Sequence, residues 1–200
     1  MASEMYYAKN PTAAHDEHRL SYTVGGQTLS FISDSGVFSK QRVDYGTGVL
    51  LSVMNDLEKK PASVLDLGCG YGPLGLFAAK MWPKIQVDMV DVNERALALA
   101  KQNARANGLG VTIFASDGYE QVKDKYDLIV TNPPIRAGKK TVSAFLSVAK
   151  DHLNPEGCLL VVIQKKQGEP SARKLLTATF GNCTIVKRDK GYYILKSEVQ

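Results

Sequence analysis

From residue 62 onward, the sequence alternates between short apolar runs and longer stretches with helical periodicity. The apolar runs predict strands at 63–67, 86–91, 111–115, 126–131 and 157–164. The stretches between and after them predict helices at 73–81, 93–107, 141–152 and 170–179. Such alternation is typical of β-α-β units, in which helices cover both faces of a parallel sheet. We therefore predict an α/β fold with an open, doubly wound sheet.

The two ends of the chain have a different pattern. Residues 20–24 and 29–32 are strand-like and flank Gly25-Gly26, which predicts a β-hairpin. Residues 183–186 and 192–195 predict a second hairpin, which would add an antiparallel strand to the sheet. A helix is expected over 44–57. The chain is thus divided into an N-terminal extension (1–40) with a β-hairpin and one larger domain (41–200).

Composition indicates one soluble globular domain. The chain has 200 residues, of which 44% are hydrophobic, enough for a sizeable core. No apolar run approaches the roughly 18 residues of a membrane-spanning helix, and residues 1–19 lack the apolar core of a secretory signal. The three cysteines are widely spaced and form neither a disulfide framework nor a zinc motif. We expect a cytoplasmic protein without a metal site.

Charge is distributed unevenly along the chain. Residues 1–130 contain 13 Lys and Arg against 15 Asp and Glu, whereas residues 131–200 contain 12 against 5. Basic clusters are often only solvated surface, but a basic face beside a substrate site binds phosphates. The residues predicted to contact a substrate in this way are Arg136, Lys139, Lys165 and Lys166.

A glycine-rich turn, Gly68-Cys69-Gly70-Tyr71-Gly72, follows the first predicted core strand. Glycine allows positive φ and a close approach of the backbone to a ligand, and ligands bind at this edge of such sheets. Asp66 lies in the strand just before the turn, where its carboxylate would face an ammonium group and repel a pyrophosphate. The turn therefore favours S-adenosylmethionine (SAM), with Gly68, Gly70 and Asp66 at its methionine end.

A dinucleotide is the competing ligand. Gly70-x-Gly72-x-x-Gly75 satisfies the dinucleotide pattern, and Asp91 follows where a ribose carboxylate is expected. For SAM, Asp91 would accept both ribose hydroxyls, and Asp117 would accept from the adenine amino group. Val92 and Gly118 follow these two carboxylates and are assigned to the same cofactor site. A helix cap at Asp91 and a local turn at Asp117 are the alternative roles.

The motif Asn132-Pro133-Pro134-Ile135 ends the fourth core strand. Two prolines hold a rigid turn, which would direct the Asn132 side-chain carbonyl and the Pro133 backbone carbonyl to one point. Two acceptors there would bind both hydrogens of an exocyclic amine and aim its lone pair at the methyl group of SAM. Catalysis would then rest mainly on positioning. A plain Asn-Pro turn is the structural alternative.

The sequence resembles the family of ribosomal RNA small-subunit guanine-N2 methyltransferases, and more narrowly its short single-domain bacterial members. The resemblance covers nearly everything from Ser33 to Leu195. It rests on the two motifs above and on Asp34-Ser-Gly-Val-Phe-Ser39, Asp44-Tyr-Gly-Thr47, Gln164-Lys-Lys-Gln-Gly168 and Lys190-Gly-Tyr-Tyr193. The larger members have phenylalanine where this chain has Ile135, and they carry a duplicated N-terminal half-domain.

The resemblance implies a Rossmann-like class I methyltransferase sheet of seven strands in the order 3-2-1-4-5-7-6, with strand 7 antiparallel. It implies that Gly46 and Thr47 close over SAM and that Pro134 belongs, with Asn132 and Pro133, to the catalytic motif beside SAM. Ile135 would lie under the base. The implied partner is ribosomal RNA or a ribosomal subunit, bound by a monomer or homodimer. A glutamine-N5 protein methyltransferase and a non-catalytic SAM- and RNA-binding assembly factor remain alternatives.

Overall fold

The computed structural model describes residues 7–200, and these form two sheets and five α-helices. The strands are β1 (His18–Val24), β2 (Gln27–Ser33), β3 (Ser63–Leu67), β4 (Gln86–Asp91), β5 (Thr112–Ala115), β6 (Tyr126–Thr131), β7 (Leu153–Gln164), β8 (Thr184–Asp189) and β9 (Tyr192–Glu198). The helices are α1 (Tyr45–Asn55), α2 (Pro73–Met81), α3 (Glu94–Ala106), α4 (Lys139–Ser147) and α5 (Glu169–Phe180). Short 3-10 helices span Ile135–Ala137, Val148–His152 and Lys165–Gln167.

The main sheet has seven strands in the order β5-β4-β3-β6-β7-β9-β8. Strands β3 to β7 pair in parallel, whereas β9 is antiparallel to both β7 and β8. This order confirms the predicted topology. The direction of strand addition reverses between β3 and β6, and such a switch point opens a crevice at the carboxyl ends of the strands.

Two apolar layers cover the sheet. Helices α1, α2 and α3 pack on one face, and α4 and α5 pack on the other. Side chains of a strand alternate between faces, so Val64 of β3 joins the first layer and Leu65 the second. Because both faces are buried, β3, β4 and β6 are mainly apolar. Their observed bounds agree with the predicted 63–67, 86–91 and 126–131.

The N-terminal hairpin β1–β2 is attached to α3 by two asparagine side chains. Asn103 accepts from the backbone N–H of Ile32 (2.7 Å) and donates to its carbonyl (2.9 Å). Asn107 does the same with Ser30, at 3.1 and 2.7 Å. The two side chains thus occupy the outer edge of β2 as a neighbouring strand would. The division of the chain at residue 40 stays a prediction, and residues 1–6 lie outside the described part.

The segment 148–164 differs from the prediction in two respects. The predicted helix 141–152 ends at Ser147 and continues as 3-10 helix, and β7 begins at Leu153 rather than 157. Leu153 pairs with Tyr126, and the register then shifts before Cys158 pairs with Leu128. The stretch in between contains a proline and has a positive φ of 61° at Glu156, features that predict a turn but here form an irregular start of the strand.

Two features are absent from residues 7–200. No helix in this range combines the length and the apolar character that a bilayer crossing needs. The same residues contain no group of three or more His, Cys, Asp or Glu side chains that could hold a metal ion.

Candidate active site

A cavity of about 760 Å³ opens at the carboxyl ends of the strands around the switch point, a size that suits a small-molecule ligand. It brings together most of the predicted site. The predicted residues in its wall are Thr47, Gly68, Gly70, Asp91, Val92, Asp117, Gly118, Asn132, Pro133, Pro134, Ile135 and Arg136. Five predicted residues do not line it, namely Gly46, Asp66, Lys139, Lys165 and Lys166.

The glycine-rich turn connects β3 to α2 and forms the floor of the cavity. The backbone N–H groups of Gly68 and Cys69 donate to the carbonyl of Val90 at 2.9 and 2.8 Å, which ties the turn to β4. Gly70 has a φ of +57°, and a Cβ there would meet no atom within 4 Å. Its exposed backbone can therefore be approached closely by a ligand.

Asp91, at the end of β4, is held by two backbone donors. Its Oδ2 accepts from the N–H of Gly70 (2.8 Å), and its Oδ1 accepts from the N–H of Asn93 (2.9 Å). Burial raises the pKa of this carboxyl, and the backbone hydrogen bonds partly oppose that effect. The cap of α3 is Asn93, whose side chain accepts from Ala96 N–H at 3.0 Å. The alternative role of Asp91 as that cap is therefore wrong.

Asp66 lies beneath the glycine turn and not in the cavity wall. Its side chain is fully buried, and Oδ2 accepts from the N–H of Gly75 in α2 at 2.7 Å. Oδ1 has no hydrogen-bond partner among the described residues. Burial raises the pKa of Asp66 to about 7, and the nearby Asp91 adds to this effect, while the Gly75 hydrogen bond opposes it. The expected position of this carboxylate facing the cavity is thus not seen.

Asp117 and Gly118 follow β5 and line the same cavity. Asp117 is exposed, and Gly118 has a φ of +54°. Val92 follows Asp91 at the tip of β4. The N–H of Ser116 donates to the backbone carbonyl of Asp91 at 3.0 Å, which holds the ends of β4 and β5 side by side.

Asn132 is oriented by two residues from the start of α1. Its Nδ2 donates to Asp44 Oδ2 and to Thr47 Oγ1, both at 3.0 Å. A carboxylate only accepts hydrogen bonds, so the amide nitrogen must face Asp44 and the carbonyl oxygen Oδ1 faces away from it. Asp44 also accepts from the N–H of Thr47 at 3.1 Å and thereby caps α1. The geometry leaves the Asn132 carbonyl available as an acceptor.

The rest of the Asn-Pro-Pro motif continues the wall away from the sheet. Pro133 is buried, Pro134 and Ile135 are partly exposed, and a 3-10 helix begins at Ile135. Arg136 is exposed at the margin of the cavity. This irregular backbone ends β6 as the double proline predicted.

The predicted lysines are exposed and lie outside the wall. Lys139 is the first residue of α4, and Lys165 and Lys166 belong to a 3-10 helix between the wall residues Gln164 and Gln167. They are therefore residues of the rim. Gly46 lies behind the wall, because a Cβ there would come within 2.6 Å of the Tyr192 ring and 3.1 Å of Asp44 Oδ2.

Comparison with known proteins identifies the family of this chain. The sequence model of the methyltransferase small domain family matches residues 28–196. The chain belongs to this family. It is 42% identical over 199 residues to the uncharacterized protein YbxB of Bacillus subtilis, covering 98% of both chains. It is 37% identical over 186 residues to ribosomal RNA small subunit methyltransferase C of Vibrio parahaemolyticus, covering 88% of this chain and 53% of that protein.

A solved structure has the same fold. The T. thermophilus 16S rRNA N2 G1207 methyltransferase, in complex with AdoMet and guanosine, superposes with a TM-score of 0.83 at 28% identity, covering 95% of this chain and 52% of that one. The present chain thus spans about half the length of the named ribosomal RNA methyltransferases that it matches. Membership in a methyltransferase family and the AdoMet of this neighbour confirm SAM as the cofactor and remove the dinucleotide alternative.

Several wall residues of this methyltransferase had no role assigned from the sequence. They include Tyr7, Val37, Phe38, Asp44, Tyr71, Phe145 and Tyr192. Tyr71 is 2% exposed, and its hydroxyl has no hydrogen-bond partner within residues 7–200. A buried polar group without a partner is costly, so this hydroxyl fits a wall that meets a polar ligand. Asp44 and Tyr192 belong to recognised motifs, but only the fold shows that both border Gly46.

Proposed function

We propose that this protein transfers the methyl group of SAM to the exocyclic N2 amine of a guanine in ribosomal RNA. The single observation that carries the proposal is the orientation of Asn132. Its amide nitrogen is engaged by Asp44 and Thr47, which leaves its carbonyl oxygen as a fixed acceptor in the cavity wall. The similarity to two ribosomal RNA methyltransferases supports ribosomal RNA as the target, and the N2 G1207 activity named for the T. thermophilus enzyme supports guanine N2.

The two carbonyl acceptors, Asn132 Oδ1 and the backbone oxygen of Pro133, would each take one hydrogen of the amine. This draws the nitrogen out of conjugation with the ring and directs its lone pair into the cavity. SAM supplies the electrophilic methyl group when it is bound. The amine proton becomes acidic only as the methyl transfers, so no strong base has to act first. Preorganised acceptors of this kind act chiefly by positioning and charge stabilisation.

The cofactor would bind across the tips of β3, β4 and β5. Gly68 and Gly70 offer backbone contact to its methionine end, Asp91 offers oxygen atoms to the ribose hydroxyls, and Asp117 with Gly118 lies where the adenine would end. Val92 would form the apolar side of the ribose and adenine pocket. Asp66 would act from below, by holding the first turn of α2 through Gly75. In this assignment the chain's own residues bind and orient the cofactor.

The substrate side is basic where the cofactor side is not. Arg136 lines the cavity near Asn132, and the exposed lysines Lys139, Lys165 and Lys166 lie next to wall residues in the sequence. Phosphate groups of RNA would be attracted to this rim. Ile135 would provide an apolar contact for the edge of the base.

The experiment that tests the proposal is methyl transfer from labelled SAM to small ribosomal subunits, free ribosomal RNA and ribosomal proteins in parallel. The product would then be digested to nucleosides to identify the modified base. We expect label in N2-methylguanosine. Label in glutamine would favour a protein methyltransferase. SAM binding with RNA binding but without transfer would favour a non-catalytic assembly factor.

A further inference from the structure

The substrate side of the cavity contains aromatic rings that the proposed function leaves without a role. Position 135 is isoleucine, so the Asn-Pro-Pro motif itself offers no flat surface for a purine. Tyr71 and Phe145 belong to the cofactor side, because Tyr71 follows Gly70 and the Phe145 ring lies 3.2 Å from where a Gly68 Cβ would be. Tyr192, from β9, borders the support of Asn132.

The Tyr192 ring can occupy that position because residue 46 is glycine. A Cβ on Gly46 would lie 2.6 Å from Tyr192 Cδ1 and 3.1 Å from Asp44 Oδ2. Asp44 Oδ2 in turn is 3.0 Å from the amide nitrogen of Asn132. The absence of a side chain at residue 46 therefore lets the tyrosine ring lie beside the group that orients the catalytic asparagine.

A second ring and a cation extend this surface outward. Tyr45 is 39% exposed, and its ring centre is 5.6 Å from that of Tyr192 at an angle of 44°. Lys190 Nζ lies 5.0 Å from the centre of the Tyr45 ring. Tyr45 begins α1 at the surface, so burial in the core does not account for an aromatic residue there. The three side chains form a continuous aromatic and cationic surface from the cavity wall to the solvent.

The rim lysines join the same surface. The backbone N–H of Lys165 donates to the carbonyl of Gly191 at 2.9 Å, which places the turn with Lys165 and Lys166 against the β8–β9 turn that carries Lys190. Asp189, an acidic residue, is the last residue of β8 and precedes that turn. Exposed aromatic rings next to a row of cations are the combination by which proteins bind single-stranded nucleic acid, with bases stacked on the rings and phosphates beside the cations.

We propose that Tyr192, Tyr45 and Lys190 form a stacking platform for single-stranded RNA at the mouth of the cavity. Tyr192 takes the face of the target guanine that Ile135 cannot stack against. Tyr45 takes the base of the adjacent nucleotide, and Lys190 its phosphate. This inference rests on the proposed function, and it assigns the interlocked Asp44-Tyr-Gly-Thr47 and Lys190-Gly-Tyr-Tyr193 motifs to substrate binding.

The test compares leucine and phenylalanine at the two tyrosine positions, with the RNA or ribosomal subunit that the wild-type enzyme methylates as the probe. Tyr45→Leu and Tyr192→Leu should each raise KM for that substrate roughly 5- to 150-fold, the range for one lost stacked base. Tyr45→Phe and Tyr192→Phe should stay within about twofold of wild type, because they keep the ring. SAM affinity should be unchanged in all four variants.

Lys190 has a matched control elsewhere in the fold. Lys150 lies over the ring of Phe180 at 6.0 Å, also as a cation–π pair, and contributes nothing to the cavity wall. Lys190→Ala should reduce the salt dependence of RNA binding by about 0.7 in log–log slope, whereas Lys150→Ala should not. Equal KM values for Tyr45→Leu and Tyr45→Phe would overturn the platform, and Tyr45 is exposed enough for both variants to fold.

The outcome also separates this inference from the function on which it rests. If the wild-type protein methylates no RNA, the proposed function fails and the platform fails with it. If the wild-type protein methylates RNA and the leucine variants do so with unchanged KM, the function stands and only the platform is wrong.

Discussion

The two sides of the cavity are built in different ways. The proposed cofactor side takes its residues from the ends of β3, β4 and β5, and its main contacts are hydrogen bonds from backbone N–H groups, such as those of Gly70 and Asn93 to Asp91. The substrate side depends on contacts between distant segments: Asn132 is held by Asp44, which is 88 residues away. The first side is therefore specified locally by motifs, whereas the second exists only after the sheet and α1 have assembled.

The largest effect is expected from Asn132→Ala, which removes the proposed catalytic acceptor of the substrate side. We expect kcat to fall about 10²- to 10³-fold, the scale for loss of one preorganised polar group. SAM affinity should be unchanged, because the cofactor side is built from other strands. Steady-state kinetics and calorimetry with SAM measure the two quantities. A wild-type rate would mean that the Asn-Pro-Pro motif is only a turn.

Asp91→Ala is the complementary change on the cofactor side. Losing the acceptor of two ribose hydroxyls should weaken SAM binding by about 2–4 kcal/mol, or roughly 30- to 900-fold. Asp91→Asn keeps one acceptor and the shape of the side chain, and it should lose less affinity. Calorimetry checks both variants. Unchanged SAM affinity in Asp91→Ala, with the fold intact by circular dichroism, would contradict the ribose assignment.

The burial of Asp66 beneath the glycine turn should make the stability of the folded protein depend on pH. The folded-state pKa of Asp66 is raised to about 7, above its value in the unfolded chain, chiefly because the carboxyl is buried. The stabilising contribution of its protonated form is thus complete at acidic pH and is lost as pH rises through about 7. Between pH 5 and pH 8 this group should cost about 2–3 kcal/mol of unfolding free energy.

Asp66→Asn provides the control for that prediction. The amide oxygen can still accept from Gly75, but the side chain no longer titrates. Urea unfolding of both proteins at pH 5 and pH 8 gives the difference of differences, in which constant effects of the substitution cancel. An equal pH dependence in wild type and variant would show that Asp66 does not carry the effect.

The same contrast explains what the sequence could and could not predict. The glycine turn, Pro73 and the strand tips follow from local pattern, so the doubly wound sheet and the positions of Asp91 and Asn132 were predictable from the residues. The order of the strands came only from the family resemblance. The depth of Asp66 was not, because alternation alone places a strand residue on a face of the sheet and does not show whether the turn covers it. Tyr192 was missed as a wall residue because its approach to Gly46 depends on the antiparallel placement of β9.

The basic rim allows a smaller test of the substrate side alone. Replacing Lys139, Lys165 and Lys166 together with Gln should reduce the log–log salt dependence of RNA binding by about 2, since each phosphate contact contributes about 0.7. RNA affinity near physiological salt should fall about 10-fold, while SAM affinity stays the same. Binding measured across a salt series checks this. A salt-independent complex would argue against nucleic acid as the substrate.

The smallest expected effect concerns Thr47, where the two sides of the cavity meet. Its hydroxyl accepts one hydrogen bond from Asn132, yet the family resemblance assigns it to closing over SAM. Thr47→Val keeps the shape and removes the acceptor, while Asp44 still holds the amide. If Thr47 mainly orients Asn132, kcat should fall about 5-fold, which is the value of one ordinary hydrogen bond, and Thr47→Ser should restore it. If Thr47 mainly contacts the cofactor, SAM affinity should fall instead and kcat at saturating SAM should be unchanged. Measuring both quantities for the two variants therefore decides to which side of the cavity Thr47 belongs.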